Sequence, residues 1–185
     1  SNGAPTDDIV NLIANSYWSL SNYPEALNFL TQSLLLNQEI GSERGMAVCL
    51  GNIGNIYQQL GDYSRALEYL QKALSINERI NRTAGIAIVL GNIGIVYSFF
   101  GDTEKALEYY QRTLQLNDQN NTYTIANTYG NIAALYADGK FANVNLASEY
   151  YHKAIELFEK IENKAGVARN LGNIAVLYGS MQDYS

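Results

Sequence analysis

The sequence predicts an all-α protein, a solenoid of about nine antiparallel helices stacked as helix hairpins. Three observations carry that expectation. A short pattern returns along the chain: Gly51-Asn52-Ile53-Gly54-Asn55-Ile56-Tyr57, Gly91-Asn92-Ile93-Gly94-Ile95-Val96-Tyr97, Gly130-Asn131-Ile132-Ala133-Ala134-Leu135-Tyr136 and Gly172-Asn173-Ile174-Ala175-Val176-Leu177-Tyr178, with a weaker copy at Asn11-Leu12-Ile13-Ala14-Asn15-Ser16-Tyr17. The equivalent isoleucines are 40, 40, 39 and 42 residues apart, a spacing that marks a repeat architecture. Between copies the apolar residues recur at three- and four-residue steps, and Gly-Asp turns punctuate them.

The elements follow in order. A first helix is expected over 7–20, carrying Ile13 and Tyr17, and a second over 24–40, where Pro24 falls in the first turn and its missing N–H does no harm. The helix over 43–60 places Ile53, Ile56, Tyr57 and Leu60 on one face. Gly61-Asp62-Tyr63 then turns the chain, with Asp62 as N-cap or first-turn acid, into a helix over 64–80 whose stripe is Ala66, Leu70, Ala73 and Leu74. The same pair returns over 83–100 and 104–117, joined by Gly101-Asp102-Thr103, and again over 122–138 and 144–162. There residues 137–146 lengthen the turn by two. A ninth helix is expected over 164–180, and no strand is expected anywhere. Ala26, Ala66, Ala106 and Ala147 are equivalent, and small as close helix contact requires. Ile53, Tyr57, Ala66, Leu70 and their equivalents are the expected core. No hairpin can bury its stripe alone, so neighbours must stack into one curved domain over 1–185, with units at 7–42, 43–82, 83–121, 122–163 and a partial 164–185.

These units resemble tetratricopeptide repeats in their roughly forty-residue form. The resemblance rests on Gly54, Tyr57, Gly61-Asp62-Tyr63, Ala66, Leu70 and Ala73, with Tyr110 and Tyr151 at the aromatic position of later copies; the proline that often ends the shorter form is missing. It implies a right-handed α–α superhelix and binding of peptides or protein segments in a concave groove lined by the first helix of each pair. It also implies a regulator or scaffold, often with an effector domain elsewhere. Asp183-Tyr184-Ser185 aligns with Asp62-Tyr63-Ser64, and the expectation is a fragment of a longer protein.

Charge and composition exclude several classes. The net charge of −6, with basic residues scattered, disfavours nucleic acid, whose phosphates call for clustered Lys and Arg. No run of eighteen apolar residues offers a membrane span. A single cysteine, Cys49, rules out an internal disulfide and a cysteine-based zinc site, and with no basic-then-apolar leader at the N-terminus the expected compartment is cytoplasmic. No catalytic residue, metal or cofactor is expected. Gly51-Asn52-Ile53-Gly54 lies mid-helix and lacks the strand and spacing of a dinucleotide loop. His152 is read as part of a solvated face, and Cys49 as a small core residue.

The expected site is the helix face opposite Ile53 and Tyr57. It carries Asn52, Asn92, Asn131 and Asn173, one per repeat, with Asn55, Ile95 and Phe99 beside them as candidate ligand contacts. An asparagine amide both donates and accepts, so a ladder of them suits the backbone of an extended peptide. The same amides could instead tie neighbouring helices together, and both roles are open. Gly51, Gly91, Gly130 and Gly172 leave the floor open to close approach by a ligand or by the next helix. Ile88, Ala134 and Val176 make it apolar, and Arg169 is the clearest charged exception. Trp18 is a candidate at the mouth. Two functions compete: a peptide-binding scaffold, and a structural or dimerisation module that positions an effector domain. Separately, Ile174, Leu177 and Tyr178 on the last helix lack the second helix that their counterparts pack against, and the expectation is that a second copy of the chain covers them, giving a homodimer of this fragment that the longer protein would not form.

Overall fold

The computed structural model describes residues 22–116, 122–137 and 142–182. The helix expected over 7–20, with Ile13, Tyr17 and Trp18, lies outside them. The described residues form eight helices and no strand: α1 Tyr23–Glu39, α2 Glu43–Gln59, α3 Tyr63–Arg79, α4 Thr83–Phe99, α5 Thr103–Gln115, α6 Thr122–Ala137, α7 Val144–Lys160 and α8 Lys164–Gln182. The boundaries differ from those read in the sequence by two residues at most.

The turns explain the regular rhythm. Each of α1, α2 and α4 ends on a glycine with positive φ, +69° at Gly41, +76° at Gly61 and +74° at Gly101, a conformation in which a Cβ would be strained. At Gly61 the Asp62 N–H reaches back to the Tyr57 carbonyl at 2.9 Å and the Gly61 N–H to Gln58 at 3.1 Å, which satisfies carbonyls the helix end would leave bare. Asp62 is at once the N-cap of α3, its carboxylate accepting from the Arg65 N–H at 3.0 Å; Asp102 does the same for Lys105 at 3.1 Å. One residue thus closes a helix and opens the next, and no slack remains in the link. After the longer turn, Asn143 caps α7 by accepting from the Leu146 N–H.

Each helix packs against its successor. Among the described residues α2, α4, α6 and α8 also touch in series, whereas α1, α3, α5 and α7 do not form a matching row of contacts. Helices that crowd together lie on the inside of a bend, so the first helix of each pair makes the inner layer and the second the outer.

Between the layers run the expected core positions. Ile53, Ile93 and Ile132 are buried, as are Ala26, Ala66, Ala106 and Ala147. Leu70, Tyr110 and Tyr151 each press on a small residue of the preceding helix: Gly54, Gly94 and Ala133. A Cβ on Gly94 would stand 2.5 Å from Cε1 of Tyr110. Burial raises the Tyr110 phenol far above its ordinary pKa and keeps it neutral, and Ser98 hydrogen-bonds it. Cys49 is buried as expected and hydrogen-bonds the Ser33 hydroxyl at 3.3 Å.

Two core expectations need correction. The repeat tyrosines are half-buried instead of buried: Tyr57, Tyr97 and Tyr136 stack on Tyr69, Tyr109 and Tyr150 at 5.5, 5.4 and 5.9 Å, and Tyr178 is exposed. A phenol keeps its hydroxyl wet while its ring covers the seam, and cations lie over the rings, Arg65 on Tyr57 and Lys105 on Tyr97. Leu60, expected on the buried face, is 51% exposed, because it sits at the C-cap where the chain already turns away.

Two glycine substitutions separate these effects. Gly94→Ala must displace the Tyr110 ring and is expected to destabilise by about 1–3 kcal/mol in denaturant titration. Gly91→Ala meets nothing within 4 Å and is expected to stabilise by about 0.5–1 kcal/mol through helix propensity. Equal effects of the two would refute the contact assignment.

Candidate functional site

The inner face is built by the repeat itself. Ile53 and Ile56 turn toward the outer layer, so Gly51, Asn52 and Asn55 face away from it, and the same register applies in α4 and α6. Two adjoining cavities lie there. One, of about 200 Å³ between α2 and α4, is lined by Asn52, Asn55, Asn77, Arg82, Ile88 and Asn92 among others. The next, of about 370 Å³, is lined by Ile88, Asn92, Ile95, Asn127, Asn131 and Arg169, with Tyr123 and Thr124. Ile88 and Asn92 belong to both, so the two form a continuous depression along the inner layer. Gly51 and Gly91 make its floor, and a Cβ on either would touch nothing within 4 Å.

The structure brings together five of the seven candidate residues: Asn52, Asn55, Asn92, Asn131 and Ile95. The Asn92 side-chain amide donates to Oδ1 of the Asn55 side chain at 2.8 Å, a bond between neighbouring repeats. Asn52 and Asn131 are half-exposed and make no side-chain hydrogen bond among the described residues. Linking helices and remaining available are therefore divided among different asparagines. Asn173 is exposed on α8 and lines neither cavity. Phe99 is 58% exposed and stacks on Tyr63 at 5.2 Å, at the end of its helix beside the turn and away from both cavities. Arg169, the charged exception, holds Asn127 at 2.6 Å and lies over the Phe158 ring.

Several lining residues were not singled out in the sequence. Asn77 is buried at the end of α3, donates to the Ala73 carbonyl at 2.8 Å and accepts from Arg82 at 3.4 Å. Its forty-residue counterpart Asn37 was a visible signal. Arg82 stands at the N-cap of α4, where α2 and α8 have Ser42 and Asn163, whose side chains accept from backbone N–H groups at 3.2 and 2.9 Å. A cation at a capping position was the cue.

Among the described residues that line the two cavities there is no His, Cys, Asp or Glu. Among the described residues no group of three or more His, Cys, Asp or Glu could hold a metal, and no helix is long and apolar enough to cross a membrane. His152 lies on the exposed side of α7, where Nδ1 donates to the Ser148 carbonyl at 2.7 Å.

Asn55 and Asn92 act as one unit, which a double-mutant cycle can measure. Asn55→Ala and Asn92→Ala are each expected to cost about 0.5–1.5 kcal/mol, and the double variant little more than either. Additive losses would mean the two amides are not joined in solution.

Comparison with known proteins places this geometry. No curated protein matches the chain. Among solved structures, aspartyl phosphate phosphatase F from Bacillus subtilis superposes with a TM-score of 0.80 at 17% identity, over 96% of this chain and 49% of that one. The Rap conjugation gene regulator of the plasmid pLS20, in complex with the Phr* peptide, gives 0.80 at 15% identity, over 92% of this chain and 47% of that one. A Podosopora anserina putative kinesin light chain with nearly identical TPR-like repeats gives 0.62 at 15% identity, over 94% of this chain and 87% of that one. The chain thus spans about half the length of the first two, and at these identities the likeness is one of fold. The tetratricopeptide repeat family matches residues 7–79 and 52–119. With that match over most of the chain, and hairpins stacked as the family stacks them, the chain belongs to the tetratricopeptide repeat family.

Proposed function

We propose that the chain is a binding scaffold that holds an extended peptide or protein segment along the inner face of α2, α4, α6 and α8. One observation carries this reading: the two cavities join into a groove whose polar lining is mostly amide, with no side-chain hydrogen bond on Asn52 or Asn131 among the described residues. A peptide backbone offers a donor and an acceptor at every residue, and side-chain amides can meet both whatever the sequence. Ile88 and Ile95 supply the apolar contact that such polar pairing needs around it. The likeness to a regulator solved with a peptide supports the same reading. On it, Asn173 engages ligand only if the segment runs on past α6, and Phe99 only at its edge. The scaffold performs no catalysis, takes no cofactor, and serves as a regulatory or sensor segment of a larger cytoplasmic protein. Its ligand is protein; a chain of net charge −6 suits neither nucleic acid nor an anionic membrane.

A second reading rests on α8. Leu171 is 52% exposed there, whereas its counterparts Leu50 and Leu90 are buried. Phe158, Val167, Ala168 and Leu171 line a hollow of about 610 Å³. We propose that a second copy of the chain covers this face. Leu177 belongs to the core with Ala133, Ala147 and Tyr151, so the dimer would use Leu171 in place of Leu177. In sedimentation equilibrium a dimer that Leu171→Glu abolishes is the expected result; a monomer at every concentration would overturn it.

The groove is tested with random nonapeptide libraries on the wild type and on the Asn52→Ala, Asn92→Ala, Asn131→Ala triple variant. Each amide lost to the ligand removes about 0.5–1.5 kcal/mol, so retention should fall at least tenfold while the fold survives. Equal retention by the two proteins would sink the proposal.

A further inference from the structure

We propose that the segment held in the groove is a proline-rich stretch in the polyproline II conformation, lying across the inner helices with one of its turns on each repeat. The inference rests on the peptide-binding reading above and names the conformation and chemistry of its ligand.

The inner face is ruled into three rows. Residues spaced by four and then three along a helix share a face, so Val48, Asn52 and Asn55 of α2 stand in line, and Ile88, Asn92 and Ile95 of α4 repeat them. In α6 the same places hold Asn127, Asn131 and Ala134. Across the helices the middle row is asparagine in every copy, and the rows on either side form walls. A chain that follows the middle row has amides beneath it and, at α4, an isoleucine on each side. Ile88 is 44% exposed there, and Gly51 and Gly91 keep the floor clear.

The step from one copy to the next is fixed. α2 touches α4 and α4 touches α6, and helices in contact lie about 8–10 Å apart. Two bonds between repeats hold this spacing at the groove itself, Asn92 to Asn55 at 2.8 Å and Arg169 to Asn127 at 2.6 Å. A polyproline II helix rises about 3.1 Å per residue with about three residues to the turn, so a turn is about 9 Å long. One turn covers one repeat, and every asparagine meets the same edge of the ligand.

Other conformations do not match the row in this way. A β-strand covers the step in about three residues but alternates with period two, so Asn52 and Asn92 would face opposite sides of it. An α-helix bonds its own N–H and C=O groups and leaves the amides nothing to read. Polyproline II makes no internal hydrogen bond, and its carbonyls are free for Asn52 and Asn131, which make no side-chain hydrogen bond among the described residues. Proline suits such a ligand, because amide donors read carbonyls without needing an N–H and a fixed φ holds the conformation before binding. In each turn one residue lies over the floor and two lean on the walls. The ligand is therefore a repeat of one small residue and two apolar ones, proline among them, centred on α4.

Labelled dodecapeptides of a single composition test this by fluorescence anisotropy: Ser-Leu-Pro repeated four times, the same residues with leucine at alternate positions, and the same residues scrambled. An alanine-rich peptide with leucine at helical spacing represents an α-helical occupant. The wild type is expected to bind the three-residue repeat roughly tenfold tighter than either rearrangement, and replacing its prolines by alanine should weaken it several-fold. Ile88→Ser, at an exposed position, should shrink the preference for the repeat while the peptides are still bound. Equal affinity for the three orders, or tighter binding with alternate leucines, would overturn the three-residue register. The peptide groove would still stand in that case if the Asn52→Ala, Asn92→Ala, Asn131→Ala triple variant lost all three peptides. Tightest binding of the helical peptide, or binding of none, would overturn the register and the extended-peptide reading together.

Discussion

Everything in this molecule depends on how closely two helices of a pair can approach. Leu70 and Tyr110 sit directly over Gly54 and Gly94, and Ala66 and Ala106 let the helix axes come together beside them. A larger residue at the glycine would lever the pair apart, and the displacement would pass to the next repeat, because each hairpin's outer helix is also the surface on which the following inner helix rests. Large-over-small complementarity therefore sets the repeat geometry, and that geometry sets the distance between successive asparagines on the inner face.

The inner face shows what the repeat leaves free. Positions that face the outer layer must be apolar and of fixed volume, and they vary little between copies. Positions on the other side carry no such demand, yet they too repeat, as glycine and asparagine. Glycine weakens a helix, and asparagine is a poor helix former whose side chain competes for the backbone. Neither is retained for helical stability. Gly91 with open space above it and Asn92 bridging to Asn55 show the two uses: one keeps the floor clear, the other fixes neighbouring inner helices in register.

Much of this was legible in the sequence, and the failures have physical causes. The forty-residue spacing of Ile53 and Ile93 gave helix identity and order, because burial on one face of a helix leaves a periodic trace. Asp62 gave a turn, because capping needs a particular side chain at a particular place. Tyr57 looked like core, but periodicity does not distinguish a ring that seals a seam from one inside it. Phe99 sat on the right helix for the site but near its end, where the next turn and Tyr63 claim it. Arg82 escaped notice because its position belongs to a link; only folding brings that link under Asn77 and into the cavity. The identity of any ligand is not written in a fold that so many proteins share.

The row of contacts along the inner layer has a kinetic consequence. Every substantial helix contact among the described residues joins elements that are adjacent or one removed in the chain, so no part of the structure waits on a partner distant in sequence. Loop closure is short everywhere, and chains built on local contacts fold quickly for their size. Any hairpin that forms can serve as the template for the next, and ordering can travel outward in both directions from wherever it starts.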